Sequence, residues 1–191
     1  MAVSFRIRSD KIKLFPPDIQ RRGHGCRANI RLPDTRLSVS RIFRIHWGVD
    51  LYLDIDGVLL DYKADAPARH AVEFIDYILE EFDCRWLTTH CQGDTAEVNE
   101  YLSGYFPEDV VRKLSAVNPT TWKTLKTEGI DFSRPFVWVD DYPFLEEMLV
   151  LESNGAEDSL FRVFLENDDE LLNVIEFLKL RTRENGAVQS A

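Results

Sequence analysis

The chain has 191 residues, 45% hydrophobic and 12% aromatic, with a formal net charge of −10. That is enough for one folded, soluble domain with a substantial core, and no apolar run approaches the ~20 residues of a membrane span. Residues 1–48 carry 11 Lys/Arg against 3 Asp/Glu, and residues 49–191 carry 12 against 30, so nucleic acid is an unexpected partner for the acidic body.

Residues 1–48 read as a basic N-terminal extension. "LFPPDIQRRGHGCRANIRLPDTR" carries three prolines and two glycines and suggests coil. An Arg-rich, acid-poor leader fits an organellar transit peptide, a basic arm for an acidic partner, or a translation start placed upstream of the domain. It lacks the apolar core of a secretory signal. Cys26, Cys84 and Cys91 fit neither a zinc spacing nor a disulfide framework, which favours a reducing, cytoplasmic setting.

From Val49 onward strand-like and helix-like segments alternate. "VDLYLDI" is a strand. Residues 67–82 are predicted as a helix, with Asp65 as N-cap and Pro67 in the first turn; Ala71, Ile75, Ile78 and Phe82 recur at helical spacing. "CRWLT" is the next strand, and residues 94–103 form a helix stopped by Gly104. "PTTWKTLKTEG" reads as a short helix and "PFVWVD" as a strand. Residues 143–153 form a helix closing near Gly155, "SLFRVFL" is a strand, and residues 168–182 are a last amphipathic helix before a tail over 184–191. The alternation implies an α/β domain over 49–183: a doubly wound, Rossmann-like parallel sheet with helices on both faces.

Ligands of such sheets sit beyond the carboxyl ends of the strands, and here those ends are polar. The first strand runs into Asp54 and Asp56. Their DxDG string does not suit a calcium loop, which needs glycine at its sixth position and glutamate at its twelfth. Two carboxylates on a tight turn suit a hard cation such as Mg²⁺, a nucleophile and a general acid/base, and Gly57 lets the backbone turn sharply. Thr88, with Thr89 beside it, offers a hydroxyl and backbone N–H groups for a phosphoryl oxygen. Asp140 and Asp141 are adjacent acids that repel unless a cation compensates. Lys123 and Lys126 could neutralise the cluster. Lys123 is preferred, because Trp122 and Leu125 look like core contacts and Lys126 lies about 300° further round a helix. His90, Asp61 and Tyr62 lie where a substrate could be touched, and ordinary surface polarity explains them equally well.

DxDG, then Thr, then Lys, then DD, in this order and at these element ends, resembles the haloacid dehalogenase (HAD) superfamily of phosphohydrolases over residues 50 to about 180. The resemblance implies Asp54 as nucleophile, Asp56 as general acid/base, and Thr88 and Lys123 as phosphoryl-binding groups. It implies Mg²⁺ held by Asp54, the Asp56 carbonyl and one of the final pair: Asp141 directly with Asp140 acting through water or Lys123, or the reverse. An aspartate at 56 looks like a phosphatase or phosphomutase. The 31 residues between Asp56 and Thr88 and the 34 between Thr88 and Lys123 leave no room for a cap domain. The expectation is a Mg²⁺-dependent phosphatase acting on a phosphorylated small molecule or macromolecule. The alternatives are a catalytically silent binding module of the same fold and a phosphotransferase.

Overall fold

Strand β1, Asp50–Leu53, is four buried residues long, and its burial follows from its place between two parallel neighbours. It pairs on one side with β4, Asp83–Trp86, and on the other with β5, Phe136–Asp140; β6, Leu160–Arg162, continues the sheet beyond β5. The order is β4–β1–β5–β6, with every pair parallel. The computed structural model describes residues 48–188, with side chains through residue 182; all of them fall in one compact unit.

Alternate side chains along a strand face opposite sides, and both sides of this sheet are covered. Leu51, Leu53, Val137 and Val139 pack with Phe74, Ile75 and Ile78 of helix α1 (Ala71–Glu81) and with Leu171, Val174 and Leu178 of helix α5 (Glu170–Val188). Helices α2 (Ala96–Leu102) and α3 (Glu108–Leu114) add Val98, Leu102, Val110 and Leu114 to the same core. Tyr52 and Trp138 face the other way and pack with Ile130 and with Leu151 of helix α4 (Leu145–Ser153). The fold is therefore α/β, a four-stranded parallel sheet flanked by helices. No described helix is long and apolar enough to cross a membrane.

Several predicted elements differ in extent. The first helix begins at Ala71, not at residue 67, because Ala66–Pro67 (β3) pairs antiparallel with Leu60–Asp61 (β2) in a small hairpin. Proline is tolerated there because the hairpin leaves its missing N–H on an edge. Asp65 is accordingly not a helix cap; it sits in the hairpin turn with φ 49°, and His70, φ 63°, precedes the helix instead. Helix α3 was not anticipated by the periodicity. "PTTWKTLKTEG" is helical only over its end, a 3-10 turn at Lys126–Gly129, since the Glu128 carboxylate accepts the Lys123 and Thr124 backbone N–H groups and bends the chain. Helix α5 runs to Val188, past the predicted end at 182 and into the predicted tail. The basic extension, but for Gly48, lies outside the described residues.

Candidate active site

The carboxyl ends of β1 and β5 lie side by side because the two strands are hydrogen-bonded, and Asp54 N–H donates to the Val139 carbonyl at 3.1 Å. That register brings Asp54 next to Asp140 and Asp141. Each of the three offers an oxygen within 4.8 Å of the others. Asp54 and Asp140 are buried and Asp141 is partly buried, so the cluster is crowded with negative charge in a poorly solvated place.

Lys126 answers part of that charge. Its Nζ lies 2.6 Å from Asp54 Oδ2 and 2.6 Å from Asp140 Oδ2. Burial lowers the ammonium's pKa, but Asp54 and Asp140 outweigh it and hold the pKa above the ordinary lysine value. Lys123, the lysine expected here, is exposed and engages the Glu128 carboxylate through its backbone N–H. The exchange follows from the missing helix: without regular helical turns from 119, a 300° offset has no meaning. A buried glutamate, Glu147 on α4, sets the position of Lys126. Its Oε1 accepts the Lys126 backbone N–H at 2.7 Å, while Oε2 accepts the Phe144 N–H at 2.8 Å.

The two acids of the DD pair differ. Asp140 is fully buried and its oxygens are committed: Oδ2 to Lys126 and to the Trp138 indole N–H at 3.2 Å, and Oδ1 to the Tyr142 N–H at 3.0 Å. Burial, then Asp54, pushes its carboxyl up to about 7 against the pull of Lys126. Burial and Asp54 also raise Asp141, but Lys126 makes no ion pair with it. Gly57 leaves room for the Asp141 carboxylate. It has φ 74°, and a Cβ there would lie 2.1 Å from Asp141 Oδ2.

Asp56 stands apart from this cluster. Its Oδ2 is 2.8 Å from His90 Nε2, and its Oδ1 accepts the Tyr101 hydroxyl proton at 2.9 Å. The His90 and Tyr101 rings stack at 3.9 Å. Burial first, then the bond to Asp56, raises the Tyr101 pKa and keeps it a donor. His90 was visible in the sequence only as a polar residue near a strand end. Tyr101 and Glu147 were missed, because each reaches the site from a helix remote in sequence. Thr88 is fully buried just past β4, with its Oγ1 accepting the His90 N–H at 3.4 Å, whereas Thr89 is exposed.

The sequence-expected residues Asp54, Asp140 and Asp141 thus meet, Asp56 turns to its own pair of partners, and Lys126, not Lys123, lies beside Asp54 and Asp140.

No family model, no curated protein and no solved structure matches this chain.

The three carboxylates could hold a metal ion. The donor set fits a hard divalent cation: all donors are oxygens, and the lysine meets only two of the three acids.

Proposed function

We propose that this chain is a Mg²⁺-dependent phosphatase of the HAD type, doubly wound in the Rossmann-like manner and without a cap domain. The observation that carries the reading is Asp54: a buried carboxylate at a strand end, 2.6 Å from a lysine ammonium and within reach of two further carboxylates. A buried structural aspartate needs one partner, whereas this constellation suits binding a cation and a transferring phosphoryl group together.

In the proposed reaction Asp54 attacks phosphorus and becomes an aspartyl phosphate, while Asp56 delivers a proton to the leaving alkoxide. Asp56 then takes a proton from the water that hydrolyses the acyl phosphate. Lys126 steadies the negative charge of the phosphoryl oxygens, and the strand-end pair Thr88 and Thr89 supplies the second phosphoryl contact: Thr89 is open to a ligand, while Thr88 is fully buried with its hydroxyl at the His90 N–H. Asp141 is the better direct ligand of Mg²⁺, since the oxygens of Asp140 are already engaged. Bound there, the cation would offset the charge of the carboxylates and polarise the phosphoryl group. His90 and Tyr101 orient Asp56 until a substrate oxygen competes for it.

Steady-state hydrolysis of simple phosphate esters with and without Mg²⁺ tests the reading. Asp54→Asn keeps the shape and removes the attacking charge, so kcat should fall by on the order of 10³ or more, at least ~4 kcal/mol of transition-state stabilisation. More than about a tenth of the wild-type rate remaining would rule out the covalent route.

A further inference from the structure

Three aromatic side chains beside the site are more than half exposed: Tyr62 at 65%, Tyr142 at 71% and Phe164 at 52%. They come from three parts of the chain, the hairpin, the loop after β5 and the loop after β6, yet they line one cavity of about 240 Å³. The same cavity is walled by Gly57 and Asp141, so it opens directly onto the carboxylate cluster. Arg162, the last residue of β6, also lines it and lies opposite Asp140 in the strand register. Its guanidinium sits over the Phe164 ring, 5.3 Å from the centroid.

Three carboxylates, Asp61, Asp141 and Glu166, and two cations, Lys63 and Arg162, line this cavity; Asp61 is taken up by the Lys63 and Ala64 backbone N–H groups, and on the phosphatase reading Asp141 is taken up by Mg²⁺. Lys63 is ion-paired with Glu166 across the wall. Among the described residues no carboxylate forms an ion pair with Arg162. An exposed guanidinium resting over an aromatic ring, with no carboxylate paired to it, is available to an anion, and exposed rings gathered in one place mark a binding surface.

We propose that this cavity is a subsite for the leaving group of the ester, and that the group is a flat ring bearing an anionic substituent. The proposal rests on the phosphatase reading. With the phosphoryl group at Asp54 and the leaving oxygen at Asp56, the rest of the leaving group reaches this cavity past Tyr62, which lines both it and the hollow around Asp56. A ring there packs among Tyr62, Tyr142 and Phe164, and its anion meets Arg162. A purely aliphatic alcohol leaves the rings wet, and an uncharged ring leaves Arg162 unmatched. The volume suits one ring and its substituent, since a whole drug-sized ligand needs ~300 Å³ or more.

The test compares kcat/KM for 4-carboxyphenyl phosphate, phenyl phosphate and glycerol 2-phosphate, in that expected order of preference. Wild-type protein should favour the carboxylated ester over phenyl phosphate by about tenfold, the scale of one charge-assisted contact. In Arg162→Gln that ratio should fall to about one, through KM rather than kcat, because the contact is made equally in the ground and transition states. In the Tyr142→Ala, Phe164→Ala double variant the preference for phenyl phosphate over glycerol 2-phosphate should shrink. Ratios do not depend on how much of a variant folds. Equal rates for the three esters in wild type, or an unchanged ratio in Arg162→Gln, would overturn the subsite. Calorimetric binding of 4-carboxyphenyl phosphate to Asp54→Asn separates the two readings. If no ester is hydrolysed by wild type but binding is seen and is lost on adding Arg162→Gln, the subsite stands and the phosphatase reading fails. No binding at all would refute the subsite.

Discussion

Lys126 and Lys123 differ by three positions in sequence and by their whole environment in the fold. Lys126 sits between two buried carboxylates; Lys123 lies in solvent. Replacing Lys126 with methionine leaves Asp54 and Asp140 facing each other with no cation. Activity, read as kcat/KM with Mg²⁺ present, should fall on the order of 10²–10³. Breaking a buried pair by removing one partner should also cost about 3 kcal/mol of stability, measured by urea unfolding. Lys123→Met should leave both nearly as they were. The reverse ranking would return the phosphoryl-binding role to Lys123. Asp56, read from sequence as a general acid/base with only its carbonyl toward the metal, has its carboxylate held by His90 and Tyr101.

At the scale of elements, the turn after β1 governs the site. It must reverse the chain within a few residues and still admit Asp141, and Gly57 satisfies both needs. An alanine at 57 would meet the strain of φ 74° and put its Cβ 2.1 Å from Asp141 Oδ2, so the carboxylate would have to swing away. Gly57→Ala should abolish the rise in melting temperature that Mg²⁺ gives wild type through ligand linkage, and should lower Mg²⁺-dependent hydrolysis at least tenfold. Gly155→Ala is the comparison: φ is 62°, but nothing lies within 4 Å of the new Cβ. It should cost ~1 kcal/mol of backbone strain and keep the metal response. A metal response retained in Gly57→Ala would mean that Asp141 is not a ligand.

For the whole molecule, the crowded carboxylates make stability depend on pH. The ordinary value for Asp140 is 3.8, and in the fold its carboxyl is pushed up to about 7. Between those values the folded state binds this proton more tightly than the unfolded state does. The contribution of this group to stability therefore declines as pH rises from about 4 to about 7, and levels off above. Denaturant unfolding of metal-free protein across this range should show the decline, and Asp140→Asn should lack it, so the variant gains on wild type as pH rises. Saturating Mg²⁺ should flatten the wild-type profile by favouring the ionised cluster. A metal-free profile that rises from pH 4 to 7 by the same amount in both proteins would show that Lys126 alone keeps Asp140 charged.

The alternation of strand and helix, the buried character of β1 and β5, and the polar residues closing those strands were legible because each is a local pattern of the chain. Apolar runs of four or five residues report burial on both faces, and carboxylates at their ends report an open sheet edge. Asp54, Asp140 and Asp141 could be placed together from that alone, since parallel pairing carries strand ends to one side. The position of Lys126 could not, because it depends on Glu128 bending the chain before it and Glu147 holding its backbone from α4. Nor could the clamp on Asp56, which joins β1 to the loop after β4 and to α2, or the hairpin that takes Ala66–Pro67 away from α1. Those features are long-range hydrogen bonds and close packing between segments that no periodicity links, and only the folded arrangement decides them.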